Sequence, residues 1–175
     1  MSYYWLKQSK RVKNPLLMQG IDLNFYKLNP TKEEFEALPE LLVTYFDYDK
    51  RLEITDVLDK PTMFISPKLR QLIEMYEDEI LFRGVQMFPI LKTVKERPLY
   101  WTFYPKVVDC LHESCEKYPN GSIKEMILDR RKSGRHDIMR VGGLLENRIV
   151  VSLALAESIM RRSFYGIELE KVRMI

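Results

Sequence analysis

Phe64-Ile-Ser-Pro-Lys-Leu-Arg-Gln-Leu-Ile73 and Ile149-Val-Val-Ser-Leu-Ala-Leu-Ala-Glu-Ser-Ile159 share one plan, and the architecture follows from it. Each opens on apolar, β-branched residues and reaches a serine, Ser66 or Ser152. Serine is a preferred N-cap because its side-chain oxygen accepts a free backbone N–H of the first helical turn. Pro67 suits the first helical position. Leu69 and Ile73 then match Leu155 and Ile159 at identical spacing, Leu72 and Tyr76 extend the first stripe, and Met160 extends the second, so each helix buries one face. A glycine follows in both cases, Gly84 or Gly166, four residues later in the first unit, and reads as the helix terminator before an alternating return strand. Two such strand-helix-strand units imply an α+β domain with a mixed or mainly antiparallel sheet and two to three short helices.

Further strands are expected at Tyr3 to Leu6, Ile21 to Tyr26, Leu41 to Tyr48, Val85 to Leu91, Leu99 to Tyr104, Ile123 to Leu128, Ile138 to Val141, Arg148 to Val151 and Ile167 to Val172, from alternation and from β-branched or aromatic content. Thr31 with Glu34 is a capping box that starts a helix over Lys32 to Leu38, before Pro39. The stretches Lys7 to Asn14 and Asp47 to Lys60 read as solvated connections, Asn120-Gly121 as a turn, and Val107 to Leu111 carries no decisive signal. A single domain over 1–175 is expected, with its core over 63–175 and residues 1–60 allowed as an appendage.

No run approaches the roughly 20 apolar residues of a membrane-spanning helix, so no membrane partner is expected. The start, Met1-Ser-Tyr-Tyr-Trp-Leu-Lys7, lacks the basic, apolar and small-residue regions of a secretory signal, which implies a cytoplasmic protein. Cys110 and Cys115 are too few for a disulfide framework. Net charge is +3 from 28 basic and 25 acidic residues, short of the excess expected of a nucleic-acid binder. The basic residues concentrate late: residues 122–175 hold 11 basic and 7 acidic groups.

Cys110, His112 and Cys115, with Asp109 and Glu113, are the one cluster that invites metal or thiol chemistry. It falls short of the four ligands of a structural zinc site, since the second histidine, His136, lies far along the chain. On a strand, Cys110 and His112 would share a face, which keeps a small cysteine-dependent enzyme as the alternative reading. Gly142-Gly143 sits in no phosphate-cradling motif and reads as a turn. Arg130, Arg131, Lys132, Arg135, His136 and Arg140, with Arg161 and Arg162, permit a nucleic-acid-binding regulator or a basic rim facing an acidic protein. Asp129, Asp137 and Glu146 interrupt the run and favour a solvated loop. No catalytic, cofactor-binding or metal residue is therefore assigned.

Phe64-Ile-Ser-Pro-Lys-Leu-Arg-Gln-Leu-Ile-Glu74, Phe88-Pro-Ile90, the aromatic run 99–104 leading to Val107-Val-Asp-Cys110, and Ile149-Val-Val-Ser152 through Gly166-Ile-Glu-Leu-Glu-Lys-Val172 together resemble a bacterial immunity-protein family. That family was long filed as a domain of unknown function and occurs beside polymorphic toxin genes. The resemblance covers residues 63–175, with a fainter echo at Tyr3-Tyr4. It implies a stoichiometric inhibitor that binds and neutralises a cognate toxin without cofactor or turnover. The segment Arg130 to Arg140 departs from the family pattern and residues 9–60 match it poorly, so no partner surface carries over.

Overall fold

A computed structural model describes residues 1–20 and 29–175; the strand expected at Ile21 to Tyr26 lies outside the described residues. In chain order the elements are β1 (Tyr3–Gln8), β2 (Met18–Gln19), α1 (Lys32–Glu36), β3 (Leu41–Phe46), β4 (Val57–Leu58), β5 (Phe64–Ile65), α2 (Pro67–Glu74), β6 (Leu81–Pro89), β7 (Leu99–Tyr104) and β8 (Val107–Val108). They continue with β9 (Glu116–Lys117), β10 (Ile123–Glu125), β11 (Ile127–Leu128), β12 (Ile138–Val141), β13 (Ile149–Ser152), α3 (Leu153–Met160), β14 (Ile167–Lys171) and β15 (Arg173–Met174). The fold is α+β with short helices and mixed sheets. One sheet has the order β2-β3-β6-β7-β5-β4, and another β14-β1-β13-β12-β8.

The two units are copies of a larger motif than the sequence spacing indicates. In the first, β4 and β5 form a hairpin, α2 follows, β6 returns, and β7 inserts between β6 and β5. In the second, β12 and β13 form the hairpin, α3 follows, β14 returns, and the inserted strand is β1, from the opposite end of the chain. Hydrogen bonds repeat in register. Ser66 donates its backbone N–H to the Asp56 carbonyl at 2.9 Å and its hydroxyl to the Asp56 carboxylate. Ser152 does the same with Asp137. Tyr100 on β7 donates to the carbonyl of Thr55, and Tyr3 on β1 to that of His136, each residue just before the paired aspartate. Even the outer strands correspond, since β3 runs parallel to β6 and β11 runs parallel to β15.

A shared core holds the copies together. Val57, Ile65 and Phe103 of the first sheet and Leu6, Ile138, Ile149 and Val151 of the second pack around Leu69, Ile73, Leu155 and Ile159 of the helices. Tyr76 and Ser158 join the two helical segments by a hydrogen bond. The first sheet buries its other face under Leu16, Phe35 and Leu38, and the second under a cluster that includes Cys110 and Leu128. Residues 1–60 are woven into both sheets through β1, β3 and β4.

Several expectations change in detail. Gly84 does not end a helix: α2 stops at its cap Met75, and Gly84 lies inside β6, where a Cβ would come within 3.0 Å of Leu41 Cδ1. Gly166 does not end α3 either, whose cap is Arg161, but it turns the chain before β14, at φ +77° and packed against Thr55. Lys7 belongs to β1 and is buried, because Glu168 and Glu170 on β14 neutralise it. Val57 and Leu58, expected in a surface connection, form the buried β4. Ile123 to Leu128 is two strands, β10 and β11, and Val107–Val108 pairs in parallel with β12. Met160 is exposed, and Ala156 takes its expected place in the core.

Candidate interaction surface

The residues singled out for chemistry are placed first. Cys110 is fully buried among Tyr3, Leu128 and Met139, and that burial pushes its thiol pKa up to about 11. A thiol so placed is protonated at neutral pH and is a poor nucleophile. His112 turns its Nδ1 to the Ser114 hydroxyl at 2.7 Å. Cys115 Sγ faces the backbone of Ile127, 3.0 Å from its oxygen and 3.2 Å from its nitrogen. No three His, Cys, Asp or Glu side chains among the described residues are grouped to hold a metal ion.

The basic segment is dispersed rather than gathered. Arg140 is buried, stacks 4.6 Å from the Tyr104 ring and donates to the Pro30 carbonyl at 2.9 Å; burial lowers its pKa. Asp129 accepts the backbone N–H groups of Arg131 and Lys132 and so folds the loop that exposes Arg130, Arg131, Lys132 and Arg135. Arg161 pairs with Glu157 at 3.3 Å, and Arg162 bonds the Ser158 carbonyl. Gly142-Gly143 forms a turn against Asp109, whose Oδ1 would lie 2.1 Å from a Cβ at Gly142.

A cleft of about 440 Å³ opens where the hairpin connections of the two copies meet, lined by Lys60, Pro61 and Thr62 of one and Glu146, Asn147 and Arg148 of the other. Its wall is Trp5, with the Arg148 guanidinium 3.8 Å from the ring centroid and the Lys7 ammonium 4.4 Å away. Asn147 Nδ2 ties the two connections together through Thr62 Oγ1 at 2.9 Å. These contacts brace the junction of the repeats.

An unsealed apolar face lies on β3. Its residues alternate, with Thr44 and Phe46 buried while Leu41, Val43 and Tyr45 are 55%, 53% and 47% exposed. The exposed set lies on the face that carries α2, because Leu41 and Trp101 both pack over Gly84, and Arg70 of α2 covers Trp101 at 3.8 Å. Helix α2 spans eight residues and lies over β7. Tyr45 pairs with Phe88 in register, and Ile90 and Leu91 continue the apolar surface beyond β6. A shallow depression of about 480 Å³ lies there, bounded by Val43, Tyr45, Phe88 and Ile90 and rimmed by Lys92 and Arg97. Arg97 sits 5.6 Å from the Phe88 ring.

Sequence reasoning placed this strand without identifying its role. The available signal was that Leu41-Leu-Val-Thr-Tyr-Phe46 is apolar on both alternating sets, although only one set is buried. In the second copy the corresponding parallel pairing with β15 is confined to Ile127 and Leu128, with Glu125 on β10 before it and Asp129 at the turn after it.

Neither a protein-family model nor a curated protein sequence matches this chain. Among the described residues, no helix is long and apolar enough to cross a membrane.

Proposed function

We propose that this chain is a non-catalytic binding protein of the immunity type, which neutralises a cognate bacterial toxin in the cytoplasm by stoichiometric contact. One observation carries the reading: β3 presents Leu41, Val43 and Tyr45 to solvent, continuous with Phe88 and Ile90 and bordered by Lys92 and Arg97. Contiguous exposed apolar surface on a folded domain marks a place of association. Lys92 and Arg97 beside it supply a basic rim, and such rims steer and orient an acidic partner. The family resemblance across residues 63–175 supplies the nature of that partner.

The cysteine-dependent alternative is disfavoured by the raised pKa of Cys110 and by the engagement of His112 with Ser114. The nucleic-acid alternative is disfavoured by the withdrawal of Arg140 into the interior. Co-expression with the toxin encoded beside its gene tests the proposal. Wild-type chain is expected to protect the cell and to co-purify at one to one, and Leu41→Glu with Tyr45→Asp to lose both properties while retaining the wild-type melting temperature. A wild-type chain that neither protects nor co-purifies rules the proposal out.

A further inference from the structure

We infer that the occupant of the β3–β6 face is an amphipathic helix of the partner, apolar on one side and acidic at its edge; this rests on the binding reading above. In a two-layer domain a helix 10–12 Å across covers about two strands spaced roughly 4.8 Å apart. Helix α2 covers β5, β7 and the start of β6 on this face through Leu69, Ile73 and the stacking of Arg70 on Trp101 of β7 and Phe82 of β6. Beyond it, residues 84–89 of β6 and the β3 strand paired with them leave a strip two strands, and so one helix, wide, floored by Val43, Tyr45 and Phe88. Six residues of β3 extend roughly 20 Å, the length of about 13 helical residues. Apolar side chains at i, i+3, i+4 and i+7 would meet the floor. Carboxylates along one edge would meet Lys92 and Arg97, where the connection 90–98 carries three basic residues and one acidic.

Tyr45 is exposed, so a carboxylate placed there leaves the buried core unchanged and supplies the control. The probe is a designed 14-residue helix with a leucine stripe and glutamates on one flank, followed by fluorescence anisotropy against the full chain. Comparison peptides carry lysines on that flank, or the same residues reordered to alternate as a strand. Saturable binding of the acidic helix is expected, weakened about tenfold or more by Tyr45→Asp and by Lys92→Glu with Arg97→Glu. Equal binding of the strand-ordered or lysine peptide, or no binding of the acidic helix, overturns the inference. A toxin complex that is lost in Tyr45→Asp, together with a helix probe that fails to bind, discards the helix and leaves the binding reading intact. A toxin complex unaffected by Tyr45→Asp discards this face for both.

Discussion

Cys110 shows how burial turns a chemically suggestive residue into a structural one. Its side chain is enclosed by Tyr3, Leu128 and Met139, and the cost of placing a thiolate there raises its pKa to about 11. At pH 8 about one thiol in a thousand is then ionised, so iodoacetamide is expected to modify Cys115 within minutes and Cys110 only after unfolding. Mass spectrometry of the peptides checks this, and rapid native labelling of Cys110 contradicts it. Cys110→Ser is expected to destabilise by roughly 1–3 kcal/mol, because a hydroxyl is costlier than a thiol to bury without a strong partner. The sequence displays Cys110 beside His112 but not the shell that encloses the sulfur, since Tyr3 and Met139 come from distant strands. Proximity in sequence suggested chemistry where proximity in space removes it.

The capped helices were readable because their signals are local. Ser66 and Ser152 accept the backbone N–H groups of Leu69 and Leu155 at 3.3 and 3.2 Å, and Thr31 with Glu34 closes a capping box. The half-buried aspartates behind each serine were not readable, since Asp137 lies 15 residues before Ser152 and Asp56 only 10 before Ser66. Ser66→Ala and Ser152→Ala remove both the cap and an aspartate's hydrogen bond, and each is expected to cost about 2 kcal/mol in urea unfolding. β1 was visible as an aromatic start, but its charged end was read as solvated because Glu168 and Glu170 lie more than 160 residues away. Burial by itself would lower the Lys7 pKa; the hydrogen bonds to Glu170 and Glu168 outweigh it and raise the pKa, while the bond from Lys7 holds Glu168 below its ordinary value. Glu168 therefore contributes stability fully present above the unfolded carboxylate pKa near 4.3 and lost as pH falls through its folded value. Lys7 contributes stability present below about 10.4 and lost as pH rises through its folded value. Lys7→Met is expected to cost on the order of 1–2 kcal/mol at pH 7 and to flatten the acid limb of the stability curve. An acid limb unchanged from wild type refutes that coupling.

For the whole molecule, the repeat has its pieces distributed unusually along the chain. The first copy owns all its strands, whereas the second borrows β1 from the N-terminal end to fill the place that β7 fills in the first. Sequence spacing revealed the capped helices of both copies, but the borrowed strand follows no helix and so had no local counterpart to match. The antiparallel register of β1 with β14 carries residue 1 alongside β15, and Val172 still donates to the Tyr3 carbonyl at 2.9 Å. Joining Ile175 to Met1 and reopening the chain between the exposed Lys10 and Arg11 would place the strands of both copies in the same order. Fourteen residues separate Val85 from Tyr100, and five lie across the break between Val172 and Tyr3, so a nine-residue linker matches the two connections. Such a permutant is expected to fold with a melting temperature within a few degrees of the parent, because termini that lie close at the surface tolerate relocation. Removing residues 1–10 outright is expected to expose β13 and β14 to rapid amide exchange, since each loses the partner between them, while β6 and β7 retain their protection for as long as the first copy stays folded. Exchange measured strand by strand on the permutant and on the truncated chain separates these outcomes. A permutant that fails to fold, or a truncated chain with β13 and β14 still protected, would show that β1 is not the strand that completes the second copy.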